Sequence, residues 1–308
     1  MARICVTGGA GFIGSHLVDR LITEGHAVQV IDNLSTGSRK FVNEKADFIE
    51  LDIRSPKLLD VMKVFQPDYV FHEAAQTMVD ASMKDPAFDC DVNLMGLINV
   101  LNACLQTKVK KILMPSSAAV YGDLATLPLD ESMQGVPSSF YGLTKLTTES
   151  YLRLYKENFG LSYICYRYAN VYGPRQGDSG EGGVISIFLK RIMKGQVLYI
   201  FGSGKQTRDF VYVDDVVDAN IKGLEQEDIC GVYNVSTGCG TSVNQLVADL
   251  SLIHGKDLQV DKKPSRTGDI MHSRLSTDRA QRDLHYSSAT ALLDGLRKTY
   301  IYFEKEYK

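Results

Sequence analysis

The sequence predicts an α/β fold in which a doubly wound parallel sheet carries helices on both faces and is followed by a smaller, mixed α/β lobe. Strand-like and helix-length segments alternate through the first half of the chain, as in the βα units of a parallel sheet. A glycine-rich loop joins the first strand to the first helix, and an aspartate ends the second strand. The 308 residues are enough for one large domain or two ordinary ones.

Six short apolar segments are the predicted strands of this sheet, at residues 3–7, 27–32, 48–51, 69–72, 110–114 and 162–167. Four helix-length segments lie between them, at residues 11–24, 56–65, 87–107 and 139–159. From about residue 171, glycine-rich loops precede shorter and more mixed elements. We therefore assign residues 1–170 to the sheet domain and 171–308 to the smaller lobe, with a short strand at 232–235 that can return to the main sheet.

The composition argues against several classes of protein. A net charge of −3, with no run of five basic residues, speaks against a nucleic-acid partner or an anionic membrane surface. No apolar run reaches about 18 residues, so we expect no membrane-spanning helix. The N-terminus turns glycine-rich too early for a signal peptide. Six scattered cysteines without a C-x-x-C pair predict free thiols in a reducing cytoplasm, and we expect no metal site.

A glycine-rich loop, T-G-G-A-G-F-I-G-S-H at residues 7–16, predicts a dinucleotide site. It satisfies G-x-G-x-x-G, with a strand before it and a helix after it. Glycines there allow a tight turn, a close approach of the backbone to a pyrophosphate, and close packing of the helix on the sheet. The helix N-terminus adds N–H groups and a partial positive charge. The predicted contacts of this Rossmann-type cofactor-binding domain are Gly8, Gly11, Phe12, Ile13 and Gly14.

Asp32 ends the second strand, 18 residues after Gly14, where a carboxylate can accept hydrogen bonds from the ribose hydroxyls of adenosine. Because a carboxylate there repels a 2′-phosphate, the predicted cofactor is NAD rather than NADP. Asp52 is a further candidate at the adenosine end, although it could equally be a turn or helix cap. The other cofactor candidates at the ends of strands are Asn33, Ile53, Ala74 and Ala75.

A tyrosine and a lysine stand four residues apart in S-S-F-Y-G-L-T-K, at residues 138–145. On a helix, that spacing puts Tyr141 and Lys145 on one face. The pair alone proves little, because a chain with 16 tyrosines contains about one Tyr-x-x-x-Lys by chance. The neighbouring sequence segments distinguish an acid–base pair from an ordinary helix surface.

Seven segments in order resemble the extended short-chain dehydrogenase/reductases, and among them the UDP-glucose 4-epimerases. They are T-G-G-A-G-F-I-G-S-H, I-D-N-L, S-S-A-A-V-Y-G at 116–122, Y-G-L-T-K at 141–145, R-Y-A-N-V-Y-G-P-R-Q at 167–176, T-R-D-F-V-Y-V-D-D at 207–215 and R-T-G-D at 266–269. Together they span nearly the whole chain. Phe140 stands where the family often has proline, and Glu73 replaces a usually apolar residue. We expect neither departure to touch a group that the chemistry requires.

The resemblance implies the roles of the catalytic residues. Tyr141 is the acid–base, and Ser117 bridges the sugar O4 to it. Lys145 helps Tyr141 and binds the nicotinamide ribose, and Tyr168 is a further cofactor contact. A free phenol has a pKa near 10, but a lysine charge about 4 Å away is worth about 4 kcal/mol at an effective dielectric constant of about 20, or roughly three pKa units. Together with the nicotinamide cation, we expect this charge to bring the pKa of Tyr141 toward neutrality.

The implied reaction is an NAD-dependent 4-epimerisation of UDP-glucose and UDP-galactose through a transient 4-keto sugar, which is bound by the lobe. The implied substrate contacts, besides Ser117 and Tyr141, are Asn170, Val184, Arg208, Arg266 and Ser273. A guanidinium fork matches phosphate oxygens, which favours Arg208 and Arg266 as partners of the diphosphate. Related epimerases restricted to plain hexoses typically have tyrosine at the position of Ser273, so the serine implies that N-acetylhexosamines are accepted too.

Three alternatives stay open. A sugar-nucleotide dehydratase would carry a carboxylic acid just before V-Y-G, where this chain has Ala119. A UDP-glucuronate 4-epimerase would need a cation for the sugar carboxylate. A non-catalytic NAD-binding module would have no need to retain Ser117, Tyr141 and Lys145.

The family also implies a homodimer, built from the predicted helices at 87–107 and 139–159. Their apolar residues are numerous enough for both a core and a partner: Val92, Leu94, Leu97, Val100, Leu101, Leu146, Tyr151 and Leu154.

Overall fold

The structure is a computed structural model that describes residues 1–177, 183–265 and 270–308. Thirteen strands lie in these ranges: β1 (Arg3–Thr7), β2 (Ala27–Asp32), β3 (Asp47–Glu50), β4 (Tyr69–His72), β5 (Lys111–Ser117), β6 (Ser162–Tyr168), β7 (Asn170–Tyr172), β8 (Leu198–Phe201), β9 (Thr207–Arg208), β10 (Phe210–Tyr212), β11 (Gly231–Val235), β12 (Thr241–Ser242) and β13 (Val260–Lys263). The same ranges hold eleven α-helices: α1 (Phe12–Thr23), α2 (Leu58–Phe65), α3 (Val79–Lys84), α4 (Pro86–Cys90), α5 (Gly96–Gln106), α6 (Phe140–Phe159), α7 (Val184–Met193), α8 (Val213–Glu225), α9 (Val243–His254), α10 (Asp278–Leu284) and α11 (Leu292–Glu306).

The central sheet of the described chain has the strand order β11-β6-β5-β4-β1-β2-β3, and every pair in it is parallel. The order reverses between β1 and β4, which is the kind of switch point at which such sheets bind ligands. This sheet confirms the predicted doubly wound α/β fold. The edge strand β11 contains residues 232–235, so the segment that could return to the main sheet lies in it.

Most elements lie within one or two residues of their predicted bounds, and two differ by more. β5 continues to Ser117, beyond the predicted end at residue 114. The predicted helix at 87–107 is divided into α4, a π-helical turn at Asp91–Met95, and α5. α4 begins with a proline, and the Asp85 carboxylate accepts a hydrogen bond from the N–H of Phe88. Both features favour a new helix start, which separates α4 from the short helix α3 that was not predicted.

Alternate residues of β1 face two separate cores, because successive side chains of a strand point to opposite faces of the sheet. Ile4 and Val6 pack in one core with α1 and α8. Cys5 packs in the other core with side chains of α2, α5 and α6. Helices thus cover both faces, which leaves the carboxyl ends of the strands as the open edge of the sheet.

The C-terminal lobe has a core of its own, formed by α7, α9 and α11 together with short strands. Within the described residues, β7 pairs with β10 and β8 with β13 in parallel, whereas β9 and β12 are antiparallel. Phe12 and Ile13 at the start of α1 pack against this core. The lobe therefore adjoins the glycine loop at the open edge of the sheet.

One helical run in the described chain, Pro86–Gln106, is long and apolar enough to cross a membrane by length and composition alone. Within this run, 44% of the most apolar 18-residue stretch is buried inside the protein. Leu97, Val100 and Leu101 supply its buried face and pack in the core that contains α2. Core helices of this kind pass the same length and composition test.

Candidate active site

A cavity of about 470 Å³ lies along the carboxyl ends of the central strands, where open α/β sheets bind their ligands. The sequence-predicted residues of the sheet domain that line it are Gly8, Gly11, Phe12, Ile13, Gly14, Asp32, Asn33, Asp52, Ile53, Ala74, Ala75, Ser117, Tyr141, Lys145 and Tyr168. The cavity thus extends from the glycine loop to the tyrosine–lysine pair. The structure brings these residues together, and their individual roles stay predictions.

The glycine loop lies so close to neighbouring backbone that side chains would not fit. Gly8 has a φ of +72°, and a Cβ there would lie 2.5 Å from the backbone N of Ala74. A Cβ on Gly14 would lie 2.3 Å from the carbonyl O of Gly8. Helix α1 begins at Phe12 without a side-chain cap and without an acidic residue in its first turn. Its positive N-terminus faces the cavity, so this cradle fits the diphosphate of a dinucleotide.

Both carboxylate oxygens of Asp32 accept backbone hydrogen bonds, Oδ2 from the N–H of Ala10 at 2.9 Å and Oδ1 from that of Leu34 at 2.8 Å. Asp32 therefore holds the glycine loop as well as lining the cavity. Burial raises the pKa of its carboxyl, and the two hydrogen bonds oppose that rise. Each oxygen keeps a lone pair for a ribose hydroxyl, so the geometry fits the predicted contact.

Asp52 is bound by a neighbour that the sequence analysis did not identify. The Arg54 guanidinium donates to both of its oxygens, from Nε at 2.9 Å and from Nη2 at 2.7 Å. Asn33 donates from Nδ2 to Oδ2 of Asp52 at 2.8 Å. The hydrogen bonds from Arg54 hold the pKa of the Asp52 carboxyl well below its usual range. Any contact between Asp52 and the cofactor must share the carboxylate with Arg54. The sequence could have indicated this ion pair, because Arg54 follows Asp52 by two residues.

The N-terminus of α6 is fixed by two contacts that place Tyr141 beside Ser117. The N–H of Tyr141 donates to Ser82 Oγ at 3.0 Å. Gly142 packs on the turn after β5, where a Cβ would lie 2.6 Å from the carbonyl O of Ala119. In this arrangement the Ser117 side chain lies close enough to the Tyr141 phenol to lower its pKa.

Lys145 is held by the backbone of β5. The residue is 3% exposed, and its Nζ donates to the carbonyl O of Pro115 at 3.0 Å. Nζ lies 5.9 Å from the centroid of the Tyr141 ring. Burial lowers the pKa of Lys145, and the negative charges of Glu73 and Asp89 oppose that shift.

Among the protein's own groups, Lys145 is not a cause of the shift in the pKa of Tyr141, so the joint effect expected of Lys145 and the nicotinamide cation stays a prediction. Burial raises the pKa of Tyr141 to about 12, although the interaction with Ser117 acts against the rise. The lysine ammonium is directed to the carbonyl of Pro115 and therefore does not compensate for the lost hydration of a phenolate. A positive charge from NAD beside the phenol is the remaining source of a lower pKa.

Ser116 and Ser117 have different environments. The Ser116 hydroxyl is 2% exposed and donates to Oε1 of Glu149 at 2.6 Å. Glu149 also pairs with Arg167, whose Nη2 lies 2.7 Å from Oε2, and both side chains are buried. Ser116 is thus committed to a buried ion pair. The Ser117 side chain instead interacts with that of Tyr141.

Three predicted substrate contacts on the lobe lie around one short segment. The N–H of Ser273 donates to the carbonyl O of Thr207 at 3.2 Å, and the N–H of Asn170 donates to that of Asp209 at 2.9 Å. Arg208 lies between these two attachment points, and its Nη1 donates to the carbonyl O of Thr207 at 2.9 Å. The fold thus gathers Asn170, Arg208 and Ser273 from three separate parts of the chain.

Four predicted substrate contacts are not among the residues that line the 470 Å³ cavity: Asn170, Val184, Arg208 and Ser273. Ala169 and Val171, on either side of Asn170, do line it. Val184 is half-buried and is the first residue of α7. Arg266 lies outside the described residues. The contact of these residues with a substrate stays a prediction.

Other cavity-lining residues were not identified from the sequence, among them Ser35, Thr36, Gly37, Gln76, Thr77 and Gln176. Glu73 was expected to touch no group that the chemistry requires, but its charge acts on Lys145, whose own role stays a prediction. Glu73 lines the cavity, and its carboxyl and the Lys145 ammonium each shift the pKa of the other. The sequence could have indicated a role for Glu73, because this glutamate replaces a residue that is usually apolar in the family.

Comparison with known proteins gives a consistent result. Residues 4–236 match the NAD dependent epimerase/dehydratase family. The putative UDP-glucose 4-epimerase of Methanocaldococcus jannaschii is 40% identical over 296 residues, which cover 96% of either chain. The solved structure of UDP-glucose 4-epimerase with UDP-glucose from Thermotoga maritima is 42% identical, with a TM-score of 0.96 over 99% of this chain and 100% of that chain. The UDP-N-acetylglucosamine 4-epimerase of Methanobrevibacter ruminantium M1, in complex with UDP-N-acetylmuramic acid, is 36% identical, with a TM-score of 0.94 over 99% of both chains.

This chain belongs to the NAD-dependent epimerase/dehydratase family. Its relatives place it with the NAD-dependent UDP-sugar 4-epimerases, so it is an isomerase whose cofactor is NAD. NAD, when bound, supplies the acceptor of a hydride. The epimerase's own residues fit the remaining tasks: the glycine loop and Asp32 can bind the cofactor, and the neighbouring hydroxyls of Ser117 and Tyr141 can move a proton.

Proposed function

We propose that this epimerase interconverts UDP-glucose and UDP-galactose at C4 of the sugar, and that it also accepts their N-acetylated forms. The placement of the Ser117 hydroxyl beside the Tyr141 phenol in one cavity is the observation that carries the proposal. It joins a proton acceptor to a hydroxyl that can both donate and accept, as contact with a sugar hydroxyl requires. The pair lines the same cavity as the glycine loop, so the sugar can react beside the cofactor.

In the proposed reaction, Tyr141 takes the proton of the C4 hydroxyl through Ser117 while C4 loses its hydride. The transient product is a 4-keto sugar, which turns in the site. Return of the hydride to the opposite face inverts C4, and Tyr141 returns its proton to O4. Protons and electrons balance over the two steps, so NAD is regenerated in every cycle and no further reagent is consumed.

Activity with N-acetylated sugars rests on Ser273. Its backbone is attached to Thr207 beside Arg208, the candidate partner of the diphosphate. A serine there leaves room that a tyrosine ring would fill, and its hydroxyl can hydrogen-bond an acetamido group. The similarity to the UDP-N-acetylglucosamine 4-epimerase of M. ruminantium supports the same reading.

Two other reactions are less well supported by the chain's residues. Elimination of water would need an acid at Ala119, whose only polar groups are those of the backbone, and its N–H donates to Ser117 Oγ at 3.1 Å. A glucuronate would need a cation beside the sugar carboxylate. Among the described residues that line the cavity, the lysine and arginine side chains are Arg54, which is bound to Asp52, and Lys145, which is bound to Pro115.

The test is to incubate purified protein with UDP-glucose, UDP-galactose and their N-acetylated forms, and to analyse the products by chromatography and mass spectrometry. We expect each pair to interconvert without change of mass. A product lighter by one water would indicate a dehydratase, and conversion of UDP-glucuronate alone would indicate the uronate enzyme. Absence of conversion in every mixture would favour a non-catalytic module, and each of these three results would contradict the proposal.

A homodimer is also part of the proposal, because the 86–106 run and α6 carry exposed apolar side chains. Leu97, Val100 and Leu101, which were expected to serve core and partner together, are buried in the core. The large apolar side chains that stay exposed on these helices include Met95 and Leu154, at 55% and 44% exposure. Such side chains on adjacent helices favour a partner subunit.

A cytoplasmic location is also part of the proposal. All six cysteines are free thiols, and three of them are buried. Buried free thiols are typical of proteins that live in a reducing compartment. Fractionation of the source cells would test it.

A further inference from the structure

Glu73 is an ionisable cavity residue that the proposed reaction does not use. It follows β4 directly, and its N–H donates to the carbonyl O of Thr7 at 2.9 Å. A Cβ on Gly8 would lie 2.7 Å from the carbonyl carbon of Glu73, so the glycine loop fixes its backbone. Its carboxyl interacts electrostatically with Lys145, the predicted partner of the nicotinamide ribose.

The Glu73 carboxyl has an oxygen without a protein partner. Its Oε1 is sealed from solvent and forms no hydrogen bond with any residue that the structure describes. Removing an ionised carboxylate from water without a partner is unfavourable, whereas the neutral acid is tolerated. Burial accordingly raises the pKa of Glu73 to about 7, against the opposing effect of Lys145. The group can exchange a proton at neutral pH without leaving its place.

The titratable neighbours of Glu73, along the chain and in space, come from three elements. On β4, His72 is neutral, because burial lowers its pKa to about 3. On β6, Tyr166 and Tyr168 are neutral, because burial raises their pKa well above the usual value. On α6, Lys145 is a cation whose pKa is lowered by burial. Of these groups, Lys145 is the one whose charge can change with pH together with that of Glu73.

We propose that Glu73 couples the charge of the bound nicotinamide to a proton. The carboxylate favours the cationic, oxidised ring, and the neutral acid favours the uncharged, reduced ring. Reduction of the cofactor is then accompanied by the uptake of one proton from water at Glu73, and reoxidation by its release. Because such linkage is reciprocal, pH must shift the preference of the protein between NAD⁺ and NADH.

The experiment equilibrates the holoenzyme with equal concentrations of NAD⁺ and NADH, at pH values from about 6 to about 8.5, on both sides of neutrality. Bound cofactor is recovered by gel filtration, released by denaturation and quantified by chromatography. We expect the bound ratio of NAD⁺ to NADH to rise with pH at least about fivefold, because one pKa unit is the low end of the effect of a nearby opposite charge. The measurement needs no sugar, so its failure is distinguishable from failure of the proposed function.

Two variants separate Glu73 from Lys145 and Tyr141. Loss of the Lys145 charge at high pH, or ionisation of Tyr141 beside the nicotinamide cation, would also favour NAD⁺, but these effects persist in Glu73→Gln and in Glu73→Leu. We expect both variants to lose most of the rise, and thermal unfolding at about pH 6, where wild type is mainly neutral at Glu73, checks that they are folded. Glu131→Gln is the matched control, because Glu131 is another acid whose pKa burial raises, and it is not part of the cavity lining. A flat ratio in wild type, or the full rise in both Glu73 variants, would overturn the proposal.

Discussion

Nζ of Lys145 donates a hydrogen bond to the carbonyl oxygen of Pro115 at 3.0 Å. The bond ties α6 to β5 two residues before Ser117, and so fixes the helix that carries Tyr141 against the strand that carries its hydroxyl partner. Lys145 thus helps to position the tyrosine as well as contributing charge to the site. The proposed proton transfer therefore depends first on Tyr141.

Replacing Tyr141 with phenylalanine should lower kcat at least about a hundredfold, the usual lower scale of general acid–base catalysis. Affinity for the UDP-sugar should change little, because the candidate diphosphate contacts lie on the lobe. Steady-state kinetics and calorimetric titration measure the two quantities. Tyr155→Phe is the matched control on the same helix, since its hydroxyl donates to Asn102 Oδ1 at 2.9 Å away from the cavity lining. A Tyr141→Phe variant with nearly normal turnover would show that another group is the base.

Ser273→Tyr should selectively remove activity toward UDP-N-acetylglucosamine. Filling a rigid site costs about 1–3 kcal/mol, so we expect a loss of roughly tenfold or more in kcat/KM for the N-acetyl sugar and little change for UDP-glucose. Ser273→Ala keeps the space and should retain both activities. If wild type does not turn over the N-acetyl sugar at all, the role given to Ser273 is wrong.

The stability of the cofactor-free protein should depend on the ionisation of Glu73. Its pKa is raised from the ordinary value of 4.5 to about 7, so between these values the folded protein holds a proton that the unfolded chain has released. The free energy of unfolding contributed by this group therefore falls as pH rises through that range. Glu73→Gln should remove the fall and exceed wild type by about 1–3 kcal/mol above neutrality. Urea unfolding at about pH 5 and about pH 8 measures it, and parallel behaviour of the two proteins would contradict the shift.

The proposed dimer should dissociate when charge is placed on its surface. Met95→Glu combined with Leu154→Glu should give a monomer by light scattering, because burying two carboxylates in an interface is unfavourable. Leu252→Glu is the control, since Leu252 is 66% exposed on α9, outside the proposed interface. The expectation fails if wild type itself is a stable monomer at micromolar concentration.

Sequence patterns predicted the sheet and the cradle because both depend on local requirements. Strands buried on two faces are apolar along their length, and only glycine fits where Gly8 meets the backbone of Ala74. The predicted helix at 87–107 contains a π-helical turn where α6 packs against it, and α3 packs against α4. Such packing between elements is not contained in a helical sequence pattern.

Electrostatics of the site could not be predicted in the same way. The spacing of Tyr141 and Lys145 puts them on one helix face, but it does not show that the ammonium is directed to Pro115. Likewise, the sequence shows Glu73 as an ordinary ionisable residue, and only the folded chain removes water from its carboxyl and places it near Lys145. Desolvation depends on the folded surroundings of a side chain. The raised pKa values of Tyr141 and Glu73 therefore follow from the structure and not from the sequence.

The most direct test of the central claim follows UDP-glucose by NMR in deuterated water with the purified holoenzyme. We expect the signals of UDP-galactose to grow until both sugars reach a constant ratio, with the hydrogen at C4 retained, because it leaves and returns as a hydride that does not exchange with water. Deuterium at C4 of the product, or no UDP-galactose at any enzyme concentration, would contradict the account.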